Sequence, residues 1–154
     1  MARYFPGRDG DEGGFDADAA NAATEEAERR AITSGAGDAL RASFGLCHTG
    51  GGTNCVVDGD TFWFRGEKIR IADIDTPETH PPRCADEAAK GRAATLRLHA
   101  LLNAGAFSLE PIDRDGDVYG RKLRVVTRGG QSLGGVLVSE GLARWYAGGR
   151  QPWC

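Results

Sequence analysis

The rhythm of hydrophobic and polar positions changes along this chain. From Cys55 to Ile74 it falls into short β-type runs separated by turn residues. Cys55, Val56 and Val57 meet Asp58-Gly59, a strong hairpin signal, and Thr61 to Phe64 runs back. Arg65-Gly66-Glu67 makes a second turn, and Lys68 to Ile74 predicts a third strand. Pro77, Pro81 and Pro82 then interrupt any regular element. From Ala85 to Asn103 the rhythm is helical, with Ala88, Leu96, Leu98, Leu101 and Leu102 as core candidates and Gly105 as the stop. Phe107 to Ile112 and Tyr119 to Val126 predict a fourth and a fifth strand. Ser132 is placed to cap a short helix through Glu140, ended by Gly141. The expected fold class is α+β, mainly β: an OB-type five-stranded barrel with helices packed on it.

The first 45 residues read differently. Gly and Asp crowd positions 7–16, and Gly35 and Gly37 punctuate the end. Between them Ala17 to Ile32 is Ala-rich, with Glu25 and Glu26 each four residues before an arginine, Arg29 and Arg30. A helix there would have almost no large apolar face to bury. The expected division is a flexible or partly helical arm at 1–45 and a body at 46–154.

Composition refines this picture. The 154 residues are 40% hydrophobic and 27% charged, with a formal net charge of −3. That balance fits one globular domain and argues against a protein that coats nucleic acid by bulk charge. The average hides an asymmetry: residues 1–40 carry four Arg against nine Asp/Glu, whereas residues 41–154 carry fifteen Lys/Arg against thirteen Asp/Glu. The body is therefore mildly basic, as suits a protein that binds a polyanion transiently. No apolar run reaches the length of a membrane span.

Cys47, Cys55, Cys84 and Cys154 form an even set with three possible pairings. Cys47 with Cys55 would staple the lead-in to the first strand, and Cys84 with Cys154 would tie the chain end to the long helix. Paired cysteines favour a secreted or periplasmic protein. The N-terminus shows no hydrophobic signal segment, which conflicts with that location and points to a lost leader or a start assigned upstream of the real one.

The chemistry is concentrated between Asp58 and Arg121. Asp58-Gly59-Asp60-Thr61 is followed by Arg70, then Asp75-Thr76-Pro77-Glu78, then Tyr119-Gly120-Arg121. Two carboxylates, a carbonyl and waters suffice for a hard divalent cation, and a further carboxylate can activate water. Guanidinium forks match the oxygens of a phosphate in a way that lysine cannot. Alone, Asp60 reads as a turn cap, Asp75 as a loop residue and each arginine as a surface charge. Together and in this order they assemble what phosphodiester cleavage requires. Asp113, Asp115 and Asp117 hint at a calcium loop but lack its Gly and Glu, and the cysteines and histidines lack zinc spacing. His99, within the helical run, reads as packed or exposed rather than catalytic.

The order and spacing of these motifs, from about Asn54 to Ala143, resemble the staphylococcal-nuclease (thermonuclease) family. The resemblance implies an OB-type fold and a calcium-dependent endonuclease acting on single-stranded DNA and RNA with little sequence preference. It implies that Asp60, Asp75 and the Thr76 carbonyl bind Ca2+ and that Asp58 orients water around it. It makes Glu78 the general base, and Arg70 and Arg121 the phosphate clamps. Tyr119 would contact the nucleotide. Two departures stand out: only residues 79–83 separate Glu78 from the helix, and Val118 stands where the staphylococcal enzyme has a lysine. Trp145 and Tyr146 fall near that enzyme's tyrosines, but out of clear register. The contrasting expectation is an OB-fold module that binds nucleic acid or protein without catalysis; the complete set of charged residues weighs against it. The expected partners are DNA and RNA as substrate, with no membrane and a monomeric state.

Overall fold

Asp58-Gly59 turns the chain back on itself, and the sheet grows outward from that hairpin. The computed structural model describes residues 37–49, 52–148 and 151–154. The chain divides into two compact units, Met1–Ala39 and Leu40–Cys154, and the architecture that follows is that of the second. The helix expected within Ala17 to Ile32 lies outside the described residues.

The strands are β1 (Gly45–Leu46), β2 (Cys55–Asp58), β3 (Thr61–Phe64), β4 (Glu67–Ile71), β5 (Ile74–Asp75), β6 (Ser108–Gly116), β7 (Lys122–Arg128), β8 (Gln131–Ser132) and β9 (Arg144–Trp145). Two helices are described, α1 (Ala85–Asn103) and α2 (Leu133–Ser139). The main sheet runs β1-β2-β3-β4-β7-β6, with β8 beside β7. Its central path β2-β3-β4-β7-β6, with α1 inserted between the third and fourth of these strands in chain order, is an OB-type fold. β4 and β7 pair in parallel, Arg70 opposite Leu123, so Arg121 at the head of β7 stands near Arg70.

Alternation along the strands separates core from cleft. Phe62, Phe64, Ile69 and Ile71 are buried, while Lys68 and Arg70 alternate with the last two and leave by the opposite face. Leu98, Leu101 and Leu102 of α1 and Leu133 and Leu137 of α2 complete the core. Leu96, expected inside, is 42% exposed, because its position lies off the α1 stripe that faces the sheet. α1 ends at Asn103 without a left-handed glycine. Instead, Arg128 of β7 donates to the carbonyls of Leu101, Gly105 and Ala106 and satisfies that helix end from outside.

The third strand differs from its expected span of Lys68 to Ile74. It breaks after Ile71, and Ile74–Asp75 leaves the main sheet to pair with Arg144–Trp145. The β-rich composition persists across the break, so only the distant partner reveals it. α2 matches its expected start, with Ser132 Oγ accepting from the Gly135 amide at 3.0 Å.

Leu40 to Leu46 belong with this sheet. Leu40 exchanges two backbone hydrogen bonds with Phe107, while Gly45–Leu46 pairs with β2. Phe44 sits among Phe62, Phe64 and Phe107, with ring centroids 5.9–6.0 Å away. α1 grips its backbone, since the Phe44 carbonyl meets His99 Nε2 at 2.9 Å and its amide donates to Asn103 Oδ1 at 2.8 Å. His99 is therefore a packing residue. Truncating Phe44→Ala is expected to cost about 3–5 kcal/mol, read as a lower urea midpoint at unchanged slope. An unchanged midpoint would mean that Phe44 is dispensable to the core.

Candidate active site

A single cleft of about 740 Å³ gathers the residues singled out in the sequence: Asp58, Asp60, Arg70, Asp75, Thr76, Glu78, Tyr119 and Arg121 all line it. Lys68, His80, Arg83, Tyr146 and Trp153 line it as well. The hairpin brings Asp60 to the start of β3, and the break after Ile71 lets Asp75 approach it from β5. Gly59 permits that approach, for a Cβ there would lie 2.6 Å from Ala94 Cβ and 2.9 Å from Thr76 Cγ2.

Arg70 stands between the two carboxylates. Its Nη2 is 3.5 Å from Asp60 Oδ2 and 3.6 Å from Asp75 Oδ1. Its Nη1 donates to the carbonyl of Ile74 at 2.9 Å and also to that of Ile71. Asp60 is 7% exposed and accepts from the Thr76 amide at 3.1 Å and the Thr61 hydroxyl at 3.0 Å. Asp58 Oδ1 accepts from the Asp60 amide at 3.2 Å. Burial, then the neighbouring charge of Asp60 and more weakly that of Glu78, pushes the Asp58 carboxyl up to about 8.

These groups fit a hard cation. Among the described residues no three His, Cys, Asp or Glu side chains form a ready cage. Asp60 and Asp75 nevertheless face one point, where the Arg70 guanidinium now provides the positive charge. Both are oxygen donors, and the Thr76 hydroxyl beside them is buried without a hydrogen-bond partner. The aspartates of the sequence's false calcium loop have other work. Asp115 pairs with Arg124 and Lys122, and Asp117 with Arg121. All four cysteines are bonded, Cys47 with Cys55 and Cys84 with Cys154, so zinc has no thiolate among them.

Two carboxylates have roles that sequence reasoning missed. Asp117 shapes the turn that presents Arg121. Its Oδ1 accepts from the amides of Tyr119 and Arg121 at 3.0 and 2.9 Å, and its Oδ2 takes Arg121 Nε at 2.7 Å. Burial opposes the charge of Asp117, yet these bonds prevail and hold its carboxyl below the usual range. Gly120, at φ +81°, completes the turn. Glu87 is the second. Fully buried in the first turn of α1, it accepts from the Glu78 amide at 3.2 Å and the Arg83 amide at 2.6 Å, and pairs with the Arg83 guanidinium. It thereby clamps both ends of the short 79–83 loop and fixes the backbone that carries Glu78. The available signal was its place three residues after the helix cap Cys84, where a glutamate commonly reaches back.

Glu87 also sets an acid limit. The Arg83 side chain, outweighing burial, and the two amides lower its carboxyl from 4.5 to about 2. A depressed carboxylate adds stability above its unfolded value, which is lost as pH falls through the folded one. Stability is thus expected to decline between about pH 4.5 and about pH 2, with Glu87→Gln weaker near neutrality and flatter across that window. Urea denaturation at both ends of the window checks this; parallel pH profiles for the two proteins would remove Glu87 from the account.

Comparison with known proteins follows the same residues. The family model described as staphylococcal nuclease homologue matches residues 68–152, which include Arg70, Asp75, Thr76, Glu78, Tyr119 and Arg121. Endonuclease YncB of Bacillus subtilis (strain 168) is 39% identical over 93 residues, 57% of this chain and 44% of that protein. The SPbeta prophage-derived endonuclease YokF of the same organism is 40% identical over 93 residues, covering 57% and 31%. Thermonuclease of Staphylococcus intermedius is 34% identical over 93 residues, covering 58% and 55%. The matches thus span from a little under a third to a little over half the length of these relatives. With the family match running through more than half of the chain and through most of the cleft, the chain belongs to the staphylococcal nuclease homologue family.

Proposed function

We propose that this chain is a calcium-dependent endonuclease that hydrolyses phosphodiester bonds of single-stranded DNA and RNA with little sequence preference. The observation that carries the reading is the convergence of Asp60, Arg70, Asp75, Glu78 and Arg121 on one cleft. The named activities of the relatives, an endonuclease and a thermonuclease among them, support it.

In this reading Asp60, Asp75 and the Thr76 carbonyl hold the cation. Bound there, Ca2+ would neutralise charge on a phosphate oxygen and organise water. Asp58 orients water at the rim of that site. Glu78, on a backbone held by Glu87, takes the proton of the attacking water. Arg70 and Arg121 bond the equatorial phosphate oxygens as charge builds on them, and Arg121, aimed by Asp117, meets the departing 5′ oxygen. The products are a 3′-phosphate and a 5′-hydroxyl. Lys68 and Arg83 add positive charge along the cleft, and Tyr119, 80% exposed, offers a face to the nucleotide.

Digestion of single-stranded DNA in calcium and in chelator tests the reading. Glu78→Gln is expected to lower the rate by roughly 10²–10⁴-fold while the fold is kept. Arg70→Lys is expected to be severely impaired, since the fork is lost. An undiminished rate in Glu78→Gln would strip that residue of its role. A folded wild-type protein that binds the strand yet fails to cleave it in the presence of any divalent metal would instead be a binding module.

A further inference from the structure

We propose that Trp153, held beside the cleft by the Cys84–Cys154 disulfide, is a stacking wall for a base flanking the scissile phosphate. The proposal rests on the nuclease reading above. Trp153 lies in the last four residues, far in sequence from every catalytic candidate, yet it lines the same cleft as Asp60, Arg70 and Glu78. Three contacts keep it there. Cys154, the next residue, is bonded to Cys84, the residue that caps α1. Arg144 Nη2 donates to the Pro152 carbonyl at 2.7 Å. The Arg144 guanidinium also lies over the indole, 3.8 Å from its centroid.

The chemistry of the cleft leaves a task for such a ring. Its cations recognise phosphate, which is the same in every nucleotide, and give no purchase on a base. Bases are gripped by aromatic faces, and stacking is indifferent to sequence because every base presents a π-face. Tyr119 and Tyr146 also line the cleft but are 80% and 54% exposed. Trp153 is only half-buried too, but a disulfide and a backbone hydrogen bond fix the residues on either side of it, and Arg144 lies closer to its ring (3.8 Å) than Arg121 does to that of Tyr119 (5.3 Å). A platform already fixed in place loses little freedom when a ligand arrives. Stacking also demands an unpaired, splayed base, so this wall would favour single strands. Trp145 is excluded from the role, because it packs over α2, where a Cβ on Gly135 would meet its Cη2 at 3.0 Å.

Binding of a fluorescent single-stranded oligonucleotide in calcium, measured in a Glu78→Gln background, tests the assignment without turnover. Trp153→Ala is expected to weaken binding about ten-fold, and Trp153→Phe to recover most of the loss. Cys154→Ser, which releases the tail, is expected to match the alanine variant. The decisive comparison uses a strand of the same length with an abasic stretch across the cleft: there the Trp153→Ala penalty should vanish. An equal penalty on intact and abasic strands would mean that the indole merely packs the tail, and no penalty on either would remove it from the site. If the Glu78→Gln parent binds neither strand, the nuclease reading itself fails and this assignment falls with it.

Discussion

Like charges crowded into one cleft set the terms for the rest of this structure. Asp58, Asp60, Asp75 and Glu78 share a wall, and burial, with the charge of Asp60 added to it, pushes Asp58 up to about 8. Such a cluster persists only where something positive sits within it. Arg70 meets that need, reaching Asp60 and Asp75 with one nitrogen and backbone carbonyls with the other. In the function proposed above, an arginine that spans both acids could turn from them to a phosphate, with a cation held by Asp60 and Asp75 supplying positive charge in its place.

The surrounding architecture works to hold these charges at fixed separations. β2 and β3 meet at a turn whose glycine allows close approach to α1, and β5 leaves the sheet so that Asp75 can come alongside. Around the rim, two further carboxylates act on backbone rather than on substrate. Glu87 ties down the loop behind Glu78, and Asp117 folds the turn in front of Arg121. Gly91 belongs to the same arrangement. In mid-helix it would normally weaken α1, but a Cβ there would come within 2.6 Å of Thr79 Cγ2 and 3.0 Å of the Pro77 carbonyl. The helix accepts a poorer residue so that the loop bearing the candidate base can lie against it.

Local signals carried much of this into the sequence. Asp58-Gly59 marked the hairpin, the prolines and the leucine spacing marked α1, and Ser132 marked α2, because each acts within one or two turns of chain. The charged site was legible too, since its members come in short motifs, and the structure brings all of them to one cleft. What escaped depends on partners distant in sequence. Ile74 looked like the end of a continuing strand and Asp75 like a loop residue, because nothing nearby announces their pairing with Trp145 and Arg144. Glu87 was not singled out, because its reach back to Glu78 appears only once the 79–83 loop has folded. Trp153 is beyond any periodicity argument, as it reaches the cleft through a bond that closes 70 residues of chain.

The stitch from Leu40 to Leu46 has a consequence for behaviour at high concentration. An open sheet offers rows of unpaired amides and carbonyls at its margins, and these invite strands from other molecules. Here one short segment bonds to β2 through Gly45–Leu46 and to Phe107, beside β6, through Leu40, so it occupies parts of both margins at once. It is held by the Phe44 ring, by Leu40, Ala42 and Leu46 packed on the core, and by two side chains of α1, His99 and Asn103. Loosening it would bare strand edges before the rest of the core had melted. Protection against self-association is thus invested in a segment that contributes no group to the cleft.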